Sequence, residues 1–206
     1  AIPPRPEGRG LSRRILMKYC SQCGAPVSVR VPEGDHLPRH ICDACDTVHY
    51  QNPKIVAGCI PEWQGRILLC RRAIEPRYGL WTLPAGFMEN HESAVAAAAR
   101  EAREEANAVV EDLRLYGLYS LVHVSQVYLM FRGRLKDGQA SAGAETLELR
   151  LFAEEDIPWD ELAFTVVEET LRQYFAERRQ GAFSVHVGDI IRTTDNQTHI
   201  HRYTEA

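Results

Sequence analysis

The 206-residue chain holds no apolar run approaching the ~20 residues that cross a bilayer. Its first residues contain no apolar core of the kind that marks a secretory signal. Neither sign of charge prevails: 24 Lys and Arg stand against 28 Asp and Glu, a formal net charge of −4. That balance gives no general attraction for nucleic acid. Cysteine is scarce, six residues in all, and four of them fall in two close pairs, a pattern that suits metal ligation better than disulfide bonding. These absences leave a reducing, cytoplasmic setting, free of the membrane, as the simplest expectation. What is present is ordinary for a soluble globular protein, with 45% hydrophobic and 25% charged residues. The length allows one full core plus a small accessory unit.

Residues 1–14 are rich in proline, glycine and arginine and read as an unstructured lead. The first chemical signal follows in residues 15–51. Cys20-x2-Cys23 and Cys42-x2-Cys45 are separated by 18 residues. Two such knuckles at this distance indicate one tetrahedral zinc site, because each tight turn aims two thiolates at the same ion. Gly24 directly after the first pair supplies the turn. The segment is too short and polar to build a core, so the metal would provide its folding energy. A closed four-sulfur site leaves no ligand role for His36, His40 or His49. The ribbon lacks a dense basic and aromatic stripe, and its expected role is structural or dimer-forming.

The second signal is a helix. Val95 to Ala106 is alanine-rich and almost free of breakers. Val95, Ala98, Ala99, Ala102, Ala106 and Val109 form an apolar stripe at the helical period. Glu101, Glu104 and Glu105 sit within one turn on an adjacent face. Asn107 follows where a left-handed residue ends many helices. A cluster of carboxylates reads either as a solvated acidic face or as a site for a hard cation, Mg²⁺ or Mn²⁺.

The residues around this helix bear on that choice. Gly86, Glu92, Arg100, Glu101, Ala102, Glu104, Glu105 and Ala108 fall at the spacing Gly-x5-Glu-x7-Arg-Glu-Ala-x-Glu-Glu. This resembles the signature of the Nudix hydrolases, in which Gly stands where this chain has Asn107. The preceding WTLPAGFMEN is similar to the family's lead-in. The resemblance implies that Glu101, Glu104, Glu105 and the Gly86 carbonyl hold Mg²⁺ or Mn²⁺, that Arg100 orients the carboxylates, and that Glu92 supports Arg100. Positions eight apart on a helix are ~12 Å apart along its axis, so Glu92 can reach Arg100 only from outside regular helix. The general base remains open among Glu105, Glu145 and Glu148.

The rest of the chain reads as strands at Ile55–Ile60, Arg66–Arg72, Leu113–His123, Val124–Leu135 and Leu147–Ala153. A second helix opens on the capping-box pattern Thr165-x-x-Glu168, with Phe164, Val167, Leu171, Tyr174 and Phe175 as its core stripe and Gly181 as its cap. Phe183–Ile191 reads as a further strand, and the THIHRY tail carries no signal. Cys59 and Cys70 are expected as buried, inert thiols. Arg71 and Arg72 read as solvated, and Tyr119, His123 and Phe131 read first as packing residues and second as pocket residues. A mixed sheet covered on both faces follows, and the resemblance makes it the Nudix α/β/α sandwich over residues 52–182, with an extension at 183–206.

By the same resemblance the substrate is a nucleoside diphosphate derivative. Ribbon-bearing relatives include NADH pyrophosphatases, but YSLVHVSQVYLMF lacks the Ser-Gln-Pro-Trp-Pro-Phe-Pro-x-Ser array those enzymes carry after the helix. ADP-ribose or FAD is therefore the expected substrate and AMP the product. A homodimer is a weaker expectation. The alternative class is a non-catalytic binding module, but such relatives usually lose a metal glutamate, and all three are present here.

Overall fold

The computed structural model describes residues 17–193, 195 and 197–203, so the lead expected at 1–14 lies outside the described residues. The chain divides into two units, Ala1–Asn52 and Pro53–Ala206. No described helix is long and apolar enough to cross a membrane.

In the first unit β1 (Val27–Arg30), β2 (Arg39–Cys42) and β3 (Val48–His49) form a small antiparallel sheet. The four cysteines converge beside it, with ligand atoms all within 4.8 Å of one another. Sulfur separations are 3.7 Å for Cys20 and Cys45, 3.4 Å for Cys23 and Cys42, and 3.5 Å for Cys23 and Cys45. Zinc–sulfur bonds of ~2.3 Å in a tetrahedron require edges of about 3.8 Å, so the spacing fits that ion. Backbone N–H groups of Gln22, Ala44 and Cys45 point at Cys20 and Cys42 sulfurs, which stabilises thiolates. Each knuckle is followed by a left-handed residue, Gly24 at φ 75° and Asp46 at φ 55°. The sequence signal covers only the first, since Asp tolerates this conformation less freely than Gly. His40 and His49 face each other across β2 and β3 and take no part in the cluster. Among the described residues of this unit, the buried apolar side chains are Cys20, Ile41 and Cys42, which is too little to fold a chain by burial alone.

The second unit is built on one mixed sheet. Its strands are β4 (Lys54–Trp63), β5 (Arg66–Arg72), β6 (Trp81–Thr82), β7 (Ala85–Phe87), β8 (Val110–Leu121), β9 (Gln126–Leu135), β10 (Thr146–Phe152), β11 (His186–Arg192) and β12 (Thr198–Arg202). The order is β10-β5-β4-β9-β8-β11-β12, with β6 on β5 and β7 on β4. β4 runs parallel to β9, and β11 runs parallel to β8. The β4–β5 turn places Gln64 and Gly65 at φ 48° and 77°, the backbone that matches strand twist in a tight hairpin.

The two faces are assigned by strict alternation along β5. Ile67 and Leu69 enter one core with helix α2 (Thr165–Gln180), while Leu68 and Cys70 enter the other with helix α1 (Ala94–Ala106). The sandwich expected from the sequence is thus present. Three details differ. The stripe of α1 runs through Ala97, Ala98, Glu101, Ala102, Glu105 and Ala106, while Val95 and Val109 are 44% and 41% exposed. The stripe is rotated because Glu101 and Glu105 share the docking face. The capping box at Thr165 does not form. Phe164 is the N-cap, Thr165 lies inside the first turn, and Glu168 pairs with Arg172 at 2.8 Å instead. β8 stops at Leu121, where a 3-10 turn at Val122–Val124 and Ser125 at φ 53° reverse the chain. The tail also has a structural role: β12 closes the sheet edge, and Arg202 grips the buried Glu169 at 2.7 and 2.8 Å.

Two predictions arise from this architecture. A strong chelator should remove one zinc per chain and abolish the amide dispersion of the ribbon, while the second unit, with its own cores, keeps its unfolding transition; retained ribbon dispersion in metal-free protein would contradict this. Ser93 Oγ accepts the Ala96 N–H at 3.2 Å, so Ser93→Ala should cost about 1 kcal/mol in denaturant unfolding, and Thr165→Ala less than about 0.5 kcal/mol.

Candidate active site

α1 starts where Ser93 caps it, so Glu92 lies outside the regular helix. That location resolves the distance problem posed by its spacing from Arg100. Arg100 Nε donates to Glu92 Oε2 at 3.1 Å and Nη2 to Oε1 at 2.8 Å, a bidentate pair. Nη2 also donates to the Phe87 carbonyl at 3.1 Å. Nη1 bridges Glu101 at 2.7 Å and Glu104 at 2.9 Å. Glu92 is fixed further by the Glu89 N–H at 2.6 Å, and the Arg100 hydrogen bond holds its carboxyl below the usual range.

The three helix carboxylates occupy different environments. Glu104 is at the rim, with 58% of its side chain exposed, paired to Arg100. Glu101 is 8% exposed, and burial pushes its pKa up against the pull of Arg100. Glu105 is also 8% exposed. Its one hydrogen-bond donor among the described residues is the Ala85 N–H at 3.3 Å. Burial, and then the charge of Glu101, raise its pKa to about 8. The arrangement leaves a buried carboxylate pair with a single guanidinium, on Glu101 and not on Glu105. Hard oxygen donors short of positive charge suit a divalent cation. The three carboxylates are not drawn into one cluster; among the described residues, the four cysteines are the only group of three or more whose ligand atoms all lie within 4.8 Å of one another.

Gly86 lies in β7 opposite Ala57. A Cβ there would fall 2.3 Å from Glu101 Oε1 and 2.4 Å from its Oε2. The Glu101 carboxylate therefore packs on the bare Cα, and any side chain at 86 would displace it.

Arg72 corrects the expectation of a solvated side chain. It is 9% exposed, donates from Nε to the Pro76 carbonyl at 2.9 Å, and stands over the Phe164 ring. Its charge acts on Glu105. Alternation could have found it, because Arg72 follows Leu68 and Cys70 on the α1 face. Arg71 does face solvent, paired with the exposed Glu148 at 3.5 Å. Glu145 is exposed on the loop before β10, and its charge is felt at both Glu101 and Glu105. Tyr119 and Phe131 are 1% and 4% exposed and belong to the cores, while His123 lies on the exposed 3-10 turn. Cys59 and Cys70 are buried, which pushes their thiols up.

The sequence reading missed an open cleft of about 300 Å³ beside Gly86. It is lined by Lys54, Ile55, Phe87 and Met88. The Phe87 ring is 49% exposed, with Lys54 Nζ 4.8 Å from its centroid.

Comparison with known proteins agrees with this geometry. The chain matches the NUDIX domain over residues 52–174 and the Nudix N-terminal zinc ribbon over residues 18–51. It is 57% identical to a NUDIX hydrolase from Nitrosomonas europaea of known structure, with a TM-score of 0.82, covering 85% of this chain and 99% of that one. A NAD-capped RNA hydrolase NudC from Vibrio vulnificus is 26% identical over 166 residues, 75% of this chain and 59% of that protein. An ADP-ribose pyrophosphatase from Methanocaldococcus jannaschii is 31% identical over 109 residues, 48% of this chain and 64% of that protein. The chain thus spans about three fifths of the length of these curated relatives. With both segments matched and one solved fold shared over 85% of the chain, the chain belongs to the Nudix hydrolase family and carries that family's zinc ribbon ahead of its Nudix domain.

Proposed function

We propose that the protein hydrolyses the pyrophosphate bond of an ADP-linked metabolite, ADP-ribose or FAD, releasing AMP, with Mg²⁺ or Mn²⁺ held by Glu101, Glu104, Glu105 and the Gly86 carbonyl. The observation that carries this reading is Glu105, a buried carboxylate set beside Glu101 with no cationic side chain bonded to it. A stabilising role would not place two carboxylates there. A bound divalent cation would supply neutralisation of the phosphate oxygens and a more nucleophilic water. Arg100 holds Glu101 and Glu104 in fixed orientation through its own contacts to Glu92 and Phe87. Arg72, with its terminal nitrogens free of carboxylates among the described residues, is placed to take phosphate charge. Phe87 offers a flat face on which a base could stack. Glu145 is favoured over Glu148 for accepting the water proton.

Water adds to one phosphorus, the bridging P–O bond breaks, and one proton leaves with the base. For ADP-ribose the products are AMP and ribose 5-phosphate.

A second reading, hydrolysis of a NAD-type dinucleotide, is favoured by the names of several curated relatives. It shares the AMP-forming chemistry but requires a nicotinamide pocket. The stretch after α1, with no proline between Tyr119 and Phe131, gives no support for that pocket.

The test is AMP release with Mg²⁺ from ADP-ribose, FAD, NADH, coenzyme A and dinucleoside polyphosphates. ADP-ribose or FAD should be turned over fastest. Turnover of NADH alone would reject the substrate assignment, and turnover of none would reject the enzyme. Glu105→Gln should lower kcat by at least about a hundredfold with unchanged thermal stability or a gain, since it removes a buried charge. Gly86→Ala should lower kcat by more than about tenfold, because its Cβ displaces the Glu101 carboxylate; a variant as active as wild type would show that this close approach is dispensable.

A further inference from the structure

The loop between β9 and β10 is bound to the C-terminal end of α1. Ser141 N–H donates to Ala106 O at 2.9 Å, and Gly143 N–H donates to Glu105 O at 3.0 Å. These bonds satisfy two carbonyls that a helix end otherwise leaves without partners. A Cβ on Gly143 would fall 1.8 Å from Glu104 O, so the loop backbone lies directly on the helix terminus. Asn107 adds a side-chain clasp. Its Nδ2 donates to Ser141 O at 3.1 Å, Ser141 Oγ at 3.1 Å and Ala142 O at 3.4 Å. Two of these acceptors are carbonyls, so only the amide nitrogen can face them. The backbone of Asn107 is left-handed, φ 46° and ψ 28°, a conformation that glycine would serve at lower cost. The side chain is therefore not needed for the turn. Two residues past Gly143 comes Glu145, whose own carbonyl accepts the Ala73 N–H at 2.8 Å.

We infer that Asn107 is a positioning residue for the reaction: its carboxamide ties residues 141 and 142 to the end of the carboxylate helix and thereby fixes the loop that carries Glu145, two residues past the Gly143 N–H bonded to Glu105 O. This rests on the proposed hydrolase activity and goes beyond it, since it assigns a function to the one position where the signature is broken. Glycine at 107 would leave the turn intact and the loop held by backbone bonds alone.

The experiment compares Asn107→Gly, Asn107→Asp and Glu145→Gln, singly and combined, in the full chain. Asp keeps the size of the side chain but replaces its donor with an acceptor facing two carbonyls. Both Asn107 variants should fold as wild type, and the Ser141 and Gly143 amides should exchange about tenfold faster with solvent while Ala102 in mid-helix does not change. The kcat for ADP-ribose should fall about three- to tenfold at unchanged KM. Combined with Glu145→Gln, Asn107→Gly should add no further loss, because the two residues act through one group. Unchanged loop exchange, faster exchange with unchanged kcat, or an equal loss of kcat in the Glu145→Gln background would each overturn the inference. The exchange arm needs no substrate. A wild-type protein inactive on every compound would sink the proposed function, whereas the clasp would then stand or fall on exchange alone.

Discussion

The guanidinium of Arg100 is the interaction around which the second unit's site is arranged. Arginine offers five N–H donors in a rigid fork. Here they meet both oxygens of Glu92, one oxygen each of Glu101 and Glu104, and the carbonyl of Phe87. One cation thus ties the loop before α1, the helix and β7 into a single body. Lysine could not replace it, because a point charge on a flexible stem cannot address five acceptors in a plane. Without this fork, Glu101 and Glu104 would repel along the helix face, and Glu92 would have no reason to fold back.

The two faces of the sheet are built differently, and the difference positions the site. On the α2 face the core is bulky: Tyr116, Tyr174, Phe175, Leu171 and Ile60 are at most 2% exposed. Their burial contributes roughly 1.5–3 kcal/mol each for the larger side chains. On the α1 face the helix presents Ala97, Ala98, Ala102 and Ala106, all fully buried. Small side chains bring α1 close enough for Glu101 to touch the Cα of Gly86 and for Glu105 to reach the Ala85 N–H. The thick face carries most of the buried apolar bulk, and the thin face holds the carboxylates.

Much of this was legible in the sequence. The cysteine spacing located the zinc ribbon, the glutamate signature located the Nudix segment, and the order of strands around two helices was enough to give a mixed sheet covered on two sides. Less was legible where a side chain's position depends on its neighbours. The α1 stripe was read from apolar residues, which points to Val95; the helix instead turns Glu101 and Glu105 inward, and hydrophobicity carries no trace of a buried carboxylate. Arg72 was taken for surface because a strand-end arginine usually is. The capping pattern at Thr165 was real as a pattern, but the chain enters that helix from extended backbone at Phe164 and begins it one residue early. The tail strand pairs along β11 and brings Arg202 to Glu169, residues 33 apart, and no local period announces it.

Burying Glu105 beside Glu101 costs several kcal/mol, since each charge loses hydration and the pair repels. That cost falls on the last turn of a short helix, the part most prone to fray. The helix is accordingly fastened at both ends. Ser93 closes the first turn, and at the other end the Ser141 and Gly143 amides occupy the terminal carbonyls while Asn107 locks the reversal. The alanine face anchors the middle. A helix held only by propensity would relieve the repulsion by unwinding after Ala102. The caps close that route, so the repulsion stays at the carboxylates, where protonation of Glu105, its pKa raised to about 8, or a bound cation would relieve it.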